Sequence, residues 1–325
     1  LFFCLCGGAP LSAQDRSSLE IPIRYVDSHV YLDLTSDQAG ELHLFLDTGT
    51  DRSVVSDVAG QKLGVAPLPP RSISRIRCLW HRCISFEGYG SKPKTMEFKR
   101  ASIRLRSGGS EVYNGKINVM NMKLFFPFSG TRIDGMFGWD IFERWCVRLD
   151  YQRRTMTITD PGRCPSLVGA NAVALDSRWS HRGAVVLTNI DFTNGRRAKA
   201  MLRLDTGNNN FIFLRPKFRQ VAGLDPISPS SNIQMGRGVN GDYQSDVVQP
   251  KRITLTGAAG NSSFTNSSIV IGRPGSISGA NAFLRLVRRL GLQRAADGEI
   301  GNGLLEKMIV TYDPLNHKIY FEPRN

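Results

Sequence analysis

Apolar and polar residues alternate along much of the chain. Val30, Leu32 and Leu34 alternate, Ser36-Asp37-Gln38-Ala39-Gly40 turns the chain, and Leu42, Leu44 and Leu46 resume the alternation. A period of two on both sides of a turn predicts a β-hairpin with one buried face. The same plan returns later. Val185 to Ile190 reads as a strand, Thr193-Asn194-Gly195 as a turn, and Ala200, Leu202 and Leu204 as the returning strand. Asn-Gly is a favoured hairpin turn. Helical periodicity is scarce. It is clearest from Ala280 to Leu290, where Phe283, Leu284, Val287 and Leu290 share one face. A shorter helix is expected after Gly138 and after Gly301. The pattern predicts a mostly β protein with a few short helices.

The two hairpins belong to a longer internal repeat. Each delivers the same triplet, Asp47-Thr48-Gly49 in the first half and Asp205-Thr206-Gly207 in the second, 158 residues apart. Downstream, Asp134-Gly135-Met136-Phe137-Gly138 is answered by Asp297-Gly298-Glu299-Ile300-Gly301, with Gly138 and Gly301 163 residues apart. A further hairpin follows each block, Val147 to Thr159 and Ile309 to Phe321. Two similar lobes are therefore expected, with the connection in the Gly-, Pro- and Ser-containing stretch Pro161 to Asn171.

A strand that ends in Asp-Thr-Gly puts a carboxylate at a sheet end, and glycine lets another chain approach closely. Two such carboxylates meeting across a twofold axis would share one proton, because like charges at about 3 Å do not both ionise readily. One could then deprotonate a water while the other protonates a carbonyl, which is hydrolysis by general acid–base catalysis. A single Asp-Thr-Gly means only a strand followed by a polar turn. Two copies in matching context carry the argument.

On these residues the chain resembles the pepsin-like, two-lobed aspartic proteases, over nearly its whole length from Glu20 to Pro323. Each half also resembles the bacterial retropepsin-like aspartyl protease domain. The resemblance implies a pepsin-like (acid protease) fold with pseudo-twofold symmetry and an Asp47/Asp205 catalytic dyad. It implies supporting loops of Thr48, Gly49, Thr50, Thr206, Gly207 and Asn208, with the Thr48 and Thr206 hydroxyls tying the loops together. Met136-Phe137-Gly138 and Ile300-Gly301 would brace those loops from behind. Tyr89, in Gly88-Tyr89-Gly90-Ser91, is the candidate for the tyrosine of a flap closing over substrate. Neither a metal nor an organic cofactor is implied. The expected activity is cleavage of peptide bonds in an extended peptide or protein. The competing reading is a peptide- or polymer-binding protein on the same fold that does not cut.

Two residues depart from the family pattern. Asn208 stands where the family usually has Ser or Thr, removing a hydroxyl that would bond the carboxylate of Asp205. Glu299 replaces an apolar residue, and a carboxylate there is exposed, paired or near the cleft.

Composition narrows the setting. The chain has 325 residues, 41% hydrophobic and 22% charged, which excludes a small disulfide scaffold and a disordered tail. The net charge of +14 is spread out, with no basic run and no nucleic-acid-binding signature. No stretch of about 18 apolar residues predicts an integral membrane span. Residues 1–14 read as the rear of a truncated secretory signal peptide, so a secreted or periplasmic location is expected. Residues 15–165 would form the first lobe and 166–325 the second. Two complete triplets in one chain predict a monomer. Beyond the leader four cysteines remain, Cys78, Cys83, Cys146 and Cys164. Two disulfides with three possible connectivities follow, and the close pair Cys78–Cys83 is the first choice. His81 between them makes only a weak zinc pattern. Gly236 to Gly241 matches the glycine spacing of a dinucleotide loop but lacks its strand–helix context, and reads instead as a hairpin tip.

Overall fold

The structure is a computed structural model that describes residues 18–68, 83–85, 88–89, 95–122, 132–224, 232–238, 241–257, 260–274, 277–278 and 296–324. The helix expected at Ala280 to Leu290, Cys78 and His81 lie outside what is described, and with Cys78 the expected Cys78–Cys83 bond.

Among the described residues two large sheets dominate, of twelve and ten strands. The hairpins form where the alternation places them. His29–Ser36 pairs with Gly40–Leu46, and Gly183–Asp191 pairs with Arg197–Leu204. Their buried sides carry Leu32, Leu34, Leu42, Leu44 and, in the second half, Val186, Ala200, Leu202. Gly195 sits at φ 78°, the left-handed conformation that its turn requires. The Gly236 to Gly241 segment is a hairpin, Ile233–Gly238 against Gly241–Val248, with Gly238 opposite Gly241.

The longest described ladder between the halves runs along the axis. Cys146–Asp150 pairs antiparallel with Met308–Asp313, Val147 opposite Tyr312 and Asp150 opposite Ile309. These are equivalent strands of the repeat, so the pseudo-twofold axis passes between them. Each is flanked by its own hairpin partner, Thr155–Thr159 on one side and Lys318–Pro323 on the other. Leu19–Val26 and Val173–Leu175 complete the two wings. Apolar packing runs across this seam. Trp139 and Phe142 stack at 5.4 Å, and Tyr312 of the second half meets Phe142 edge-on at 4.7 Å. All three are fully buried, and each such ring contributes about 1.5–3 kcal/mol by leaving water.

Short helices follow the two glycines as the repeat predicts, a 3-10 turn at Trp139–Ile141 and a helix at Asn302–Leu305. The connecting stretch opens with a 3-10 helix, Pro161–Leu167. Its buried Cys164 is disulfide-bonded to Cys146 at the start of the seam strand. The cysteine count left this pairing open among three. No described helix is long and apolar enough to cross a membrane.

Candidate active site

Strand parity decides what reaches the centre. In Gly40–Leu46 the residues Leu42, Leu44 and Leu46 face the core, so His43, Phe45 and Asp47 face the other way. In Arg197–Leu204 the same parity sends Met201, Arg203 and Asp205 to the opposite face from Ala200, Leu202 and Leu204.

Parallel strands brace both loops. Gly135–Phe137 runs beside Gly40–Leu46, and Gly298–Ile300 beside Arg197–Leu204. The Asp47 amide donates to the Phe137 carbonyl at 2.9 Å and the Asp205 amide to that of Ile300 at 2.9 Å. The Trp139 amide donates to the Thr50 carbonyl, and the Asn302 amide to the Asn208 carbonyl. Asp134 and Asp297, which open these blocks, hold backbone. Each accepts an amide hydrogen from the neighbouring strand, His43 at 3.1 Å and Met201 at 2.9 Å.

The two loops grip one another at Thr48 and Thr206. The Thr48 amide donates to Thr206 Oγ1 and the Thr206 amide to Thr48 Oγ1, both at 3.0 Å. Thr48 Oγ1 donates onward to the Leu204 carbonyl at 2.9 Å, and Thr206 Oγ1 to that of Leu46 at 2.8 Å. Both threonines are fully buried, and this exchange satisfies hydroxyls and amides together. A third clasp was not foreseen from the sequence. Buried Asn302 accepts from the Tyr151 hydroxyl at 2.8 Å and donates to the carbonyls of Ser28 and Thr206.

The grip brings Asp47 and Asp205 together, each carboxylate packed against the glycine of the opposite triplet, Asp205 on Gly49 and Asp47 on Gly207. Gly49 N–H donates to Asp47 Oδ1 at 2.8 Å, and Gly207 N–H to Asp205 Oδ1 at 2.9 Å. Here the symmetry stops. Thr50 Oγ1 donates to Asp47 Oδ2 at 2.8 Å. Asn208 does not do the same for Asp205; its Nδ2 donates to Glu299 Oε2 at 3.2 Å. Glu299 is therefore paired and close to Asp205 rather than exposed. Its other oxygen takes Arg203 Nη2 at 2.5 Å, and the same nitrogen lies 3.4 Å from Asp205 Oδ2.

Burial raises the ionisation of both aspartates above the usual carboxylate range. For Asp47, the Thr50 hydroxyl, the Arg203 charge and the Gly49 amide oppose the rise. Asp205 stands well above that range, because the charges of Glu299 and Asp47 add to its burial and Arg203 only partly offsets them. Such a pair holds one proton over a window of pH, and it can give and take protons in one step.

Tyr89 lies in the two-residue strand Gly88–Tyr89, between the paired strands Cys83–Ser85 and Thr95–Glu97. That strand pairs with Ile277–Ser278 of the second half, Tyr89 opposite Ile277. The Tyr89 side chain lies outside the described residues. Arg203 is the site residue that the sequence reading missed. Its signal was a charge two residues before Asp205, where the first repeat has Phe45.

Among the described residues no cluster of His, Cys, Asp and Glu is arranged to hold a metal ion. No protein-family model matches the chain, and no curated protein matches it. Solved structures do. An aspartic proteinase from Irpex lacteus superposes with a TM-score of 0.55 at 12% identity, over 95% of this chain and 98% of that one. Basic 7S globulin from soybean superposes with a TM-score of 0.50 at 10% identity, over 94% of each. At such identities the likeness establishes architecture, and the chain has the two-lobed, mostly β fold of the pepsin-like aspartic proteinases.

Proposed function

We propose that this chain is an aspartic endopeptidase with Asp47 and Asp205 as its catalytic pair. The observation that carries the reading is the reciprocal geometry at the axis. Two carboxylates, one from each half, each accept the amide of their own triplet's glycine and pack against the glycine of the opposite triplet. A water held between them would lose a proton to the ionised carboxylate and attack the peptide carbonyl carbon. The protonated carboxyl would give its proton to the carbonyl oxygen. Collapse of the tetrahedral species breaks the C–N bond: the leaving nitrogen takes the proton the base received from water, a diol hydroxyl gives its proton to the other carboxylate as the product carbonyl forms, and the pair is back in its one-proton state. The substrate is an extended peptide or protein, with the Tyr89 segment as flap. No metal or organic cofactor enters this chemistry. Action as a monomer outside the cytoplasm fits the two complete triplets and the leader-like residues 1–14. The likeness of each half to the retropepsin-like domain belongs to the same proposal and rests on the repeat.

A second reading is a protein of the same fold that binds an extended polymer without cutting it. It draws on the charged Arg203–Glu299 pair beside Asp205 and on a structural neighbour named as a globulin. Cleavage of an unfolded protein from pH 3 to 7, with and without a statine-type inhibitor and beside Asp205→Asn, decides between them. Inhibitor-sensitive cleavage absent from the variant is expected. Tight peptide binding without cleavage would favour the second reading.

A further inference from the structure

The two halves furnish the walls beside the pair with opposite chemistry. In the first half Phe45 and Met136 lie opposite one another on neighbouring strands and are buried with Tyr31, Val54 and Met120. The corresponding positions of the second half hold Arg203 and Glu299, also in register. An apolar pair evidently suffices for this architecture. The Arg203–Glu299 pair is part-buried, with side chains 23% and 12% exposed, so its charges lie partly out of water and act strongly on a neighbouring carboxyl. One guanidinium nitrogen of the pair, Arg203 Nη2, touches both Glu299 and Asp205, so the pair bears directly on Asp205.

The groups around Asp205 can be named element by element. Arg203 comes from its own strand and Glu299 from the parallel neighbour. Asp47 and the Gly49 carbonyl come from the first-half loop, the latter accepting from Arg203 Nη1 at 2.9 Å. Gly207 N–H comes from its own loop, and Tyr312 of the seam lies within electrostatic range of Asp205. Around Asp47 stand Thr50, Arg203 and, farther off, the imidazole of His29. Arg203 also acts on Asp51 at the edge of the site. Asp47 thus has a hydroxyl and an amide to stabilise its charge. Asp205 has an amide, a long contact to a guanidinium held closer by Glu299, and the negative charge of Glu299 itself.

We propose that Glu299, pinned by Arg203 and Asn208, is a positioning residue that makes the pair unequal, so that Asp205 keeps the shared proton and serves as the acid while Asp47 stays ionised and serves as the base. The consequence for rate rests on the endopeptidase reading; the position of the proton does not.

The test uses the full chain and two readouts. Carboxyl groups are titrated by carbon-13 NMR, which needs no substrate, and cleavage of an unfolded protein is followed against pH. In Glu299→Gln a negative charge is lost and Arg203 is released toward Asp205. The Asp205 titration should therefore fall by roughly one to two pH units, and the alkaline limb of cleavage should follow it. Glu299→Asp should restore most of the original behaviour. If Glu299→Gln folds poorly, Glu299→Met, which copies Met136, should give the same shift. An unmoved titration, or an equal loss of rate at every pH with the limb in place, would overturn the proposal. If the titration shifts but no chain cleaves anything, the protonation scheme stands and the endopeptidase reading falls.

Discussion

Gly49 packs against the carboxylate of Asp205, and a Cβ placed on it would lie 2.6 Å from Oδ1. Gly207 stands in the same relation to Asp47, again at 2.6 Å from Oδ1. Neither glycine adopts a left-handed backbone, so the third residue of each triplet is small because the partner carboxylate fills the space a side chain would take.

Gly49→Ala and Gly207→Ala should each push the carboxylates apart. The expected cost is about 1–3 kcal/mol of stability, as for other overpacked sites, with a large loss of cleavage. Gly162→Ala, where an added Cβ meets nothing within 4 Å, is the matched control. Thermal melts and rates of the three variants check this.

Asp47→Ala and Asp205→Ala should each lower turnover by about 10²- to 10⁴-fold or more, since one carboxylate cannot be acid and base at once. Both should remain folded, which circular dichroism will show. Substantial activity in either variant would exclude the mechanism.

The raised ionisation of Asp205 also bears on stability. Unfolded, this carboxyl ionises near pH 4; folded, it ionises well above that. Between those values the folded state holds the extra proton, so its contribution is present in acid and is lost as pH rises through the folded value. Asp205→Asn should therefore melt at a higher temperature than the parent at pH 7, and the gain should vanish below about pH 4. Equal gains at pH 3.5 and pH 7 would contradict the assignment.

Asn208→Thr places a hydroxyl where Thr50 serves the other half. If it reaches Asp205 as Thr50 reaches Asp47, it stabilises the ionised form, and the alkaline limb should move toward acid by roughly one pH unit. A limb that stays fixed or moves toward alkali would show that the missing hydroxyl does not tune the site.

Thr48→Val deletes one side of the loop grip and strands the Thr206 amide and the Leu204 carbonyl away from water. A loss of about 1–3 kcal/mol is expected, with Thr48→Ser largely neutral. Chemical denaturation of both variants measures it.

Much of this arrangement was legible in the residues themselves. A strand with one buried face shows its parity, so Leu42, Leu44 and Leu46 announced both the hairpin and the direction of Asp47. The repeat then gave Asp205 its partner. Arg203 and Glu299 are different. They are 96 residues apart, and their meeting depends on Arg197–Leu204 and Gly298–Ile300 running as parallel neighbours, which local pattern does not encode. The Asn302 clasp has the same origin, reaching Ser28 and Tyr151 of the other half. Cysteine arithmetic likewise gave an even number, and geometry was needed to join Cys146 to Cys164.

The seam between Cys146–Asp150 and Met308–Asp313 gives the molecule a property of divisible objects. The cystine Cys146–Cys164 closes on the first-half side of the connecting stretch, and Val173–Leu175 already belongs to the second-half wing. A backbone nick between Ser166 and Gly169 would sever the chain without removing a strand from either sheet. The two fragments would stay associated through the ladder, the threonine grip and the shared aromatic packing, eluting as one particle and separating only in denaturant. Expressed apart, they are candidates for complementation, each carrying one aspartate and neither a working pair.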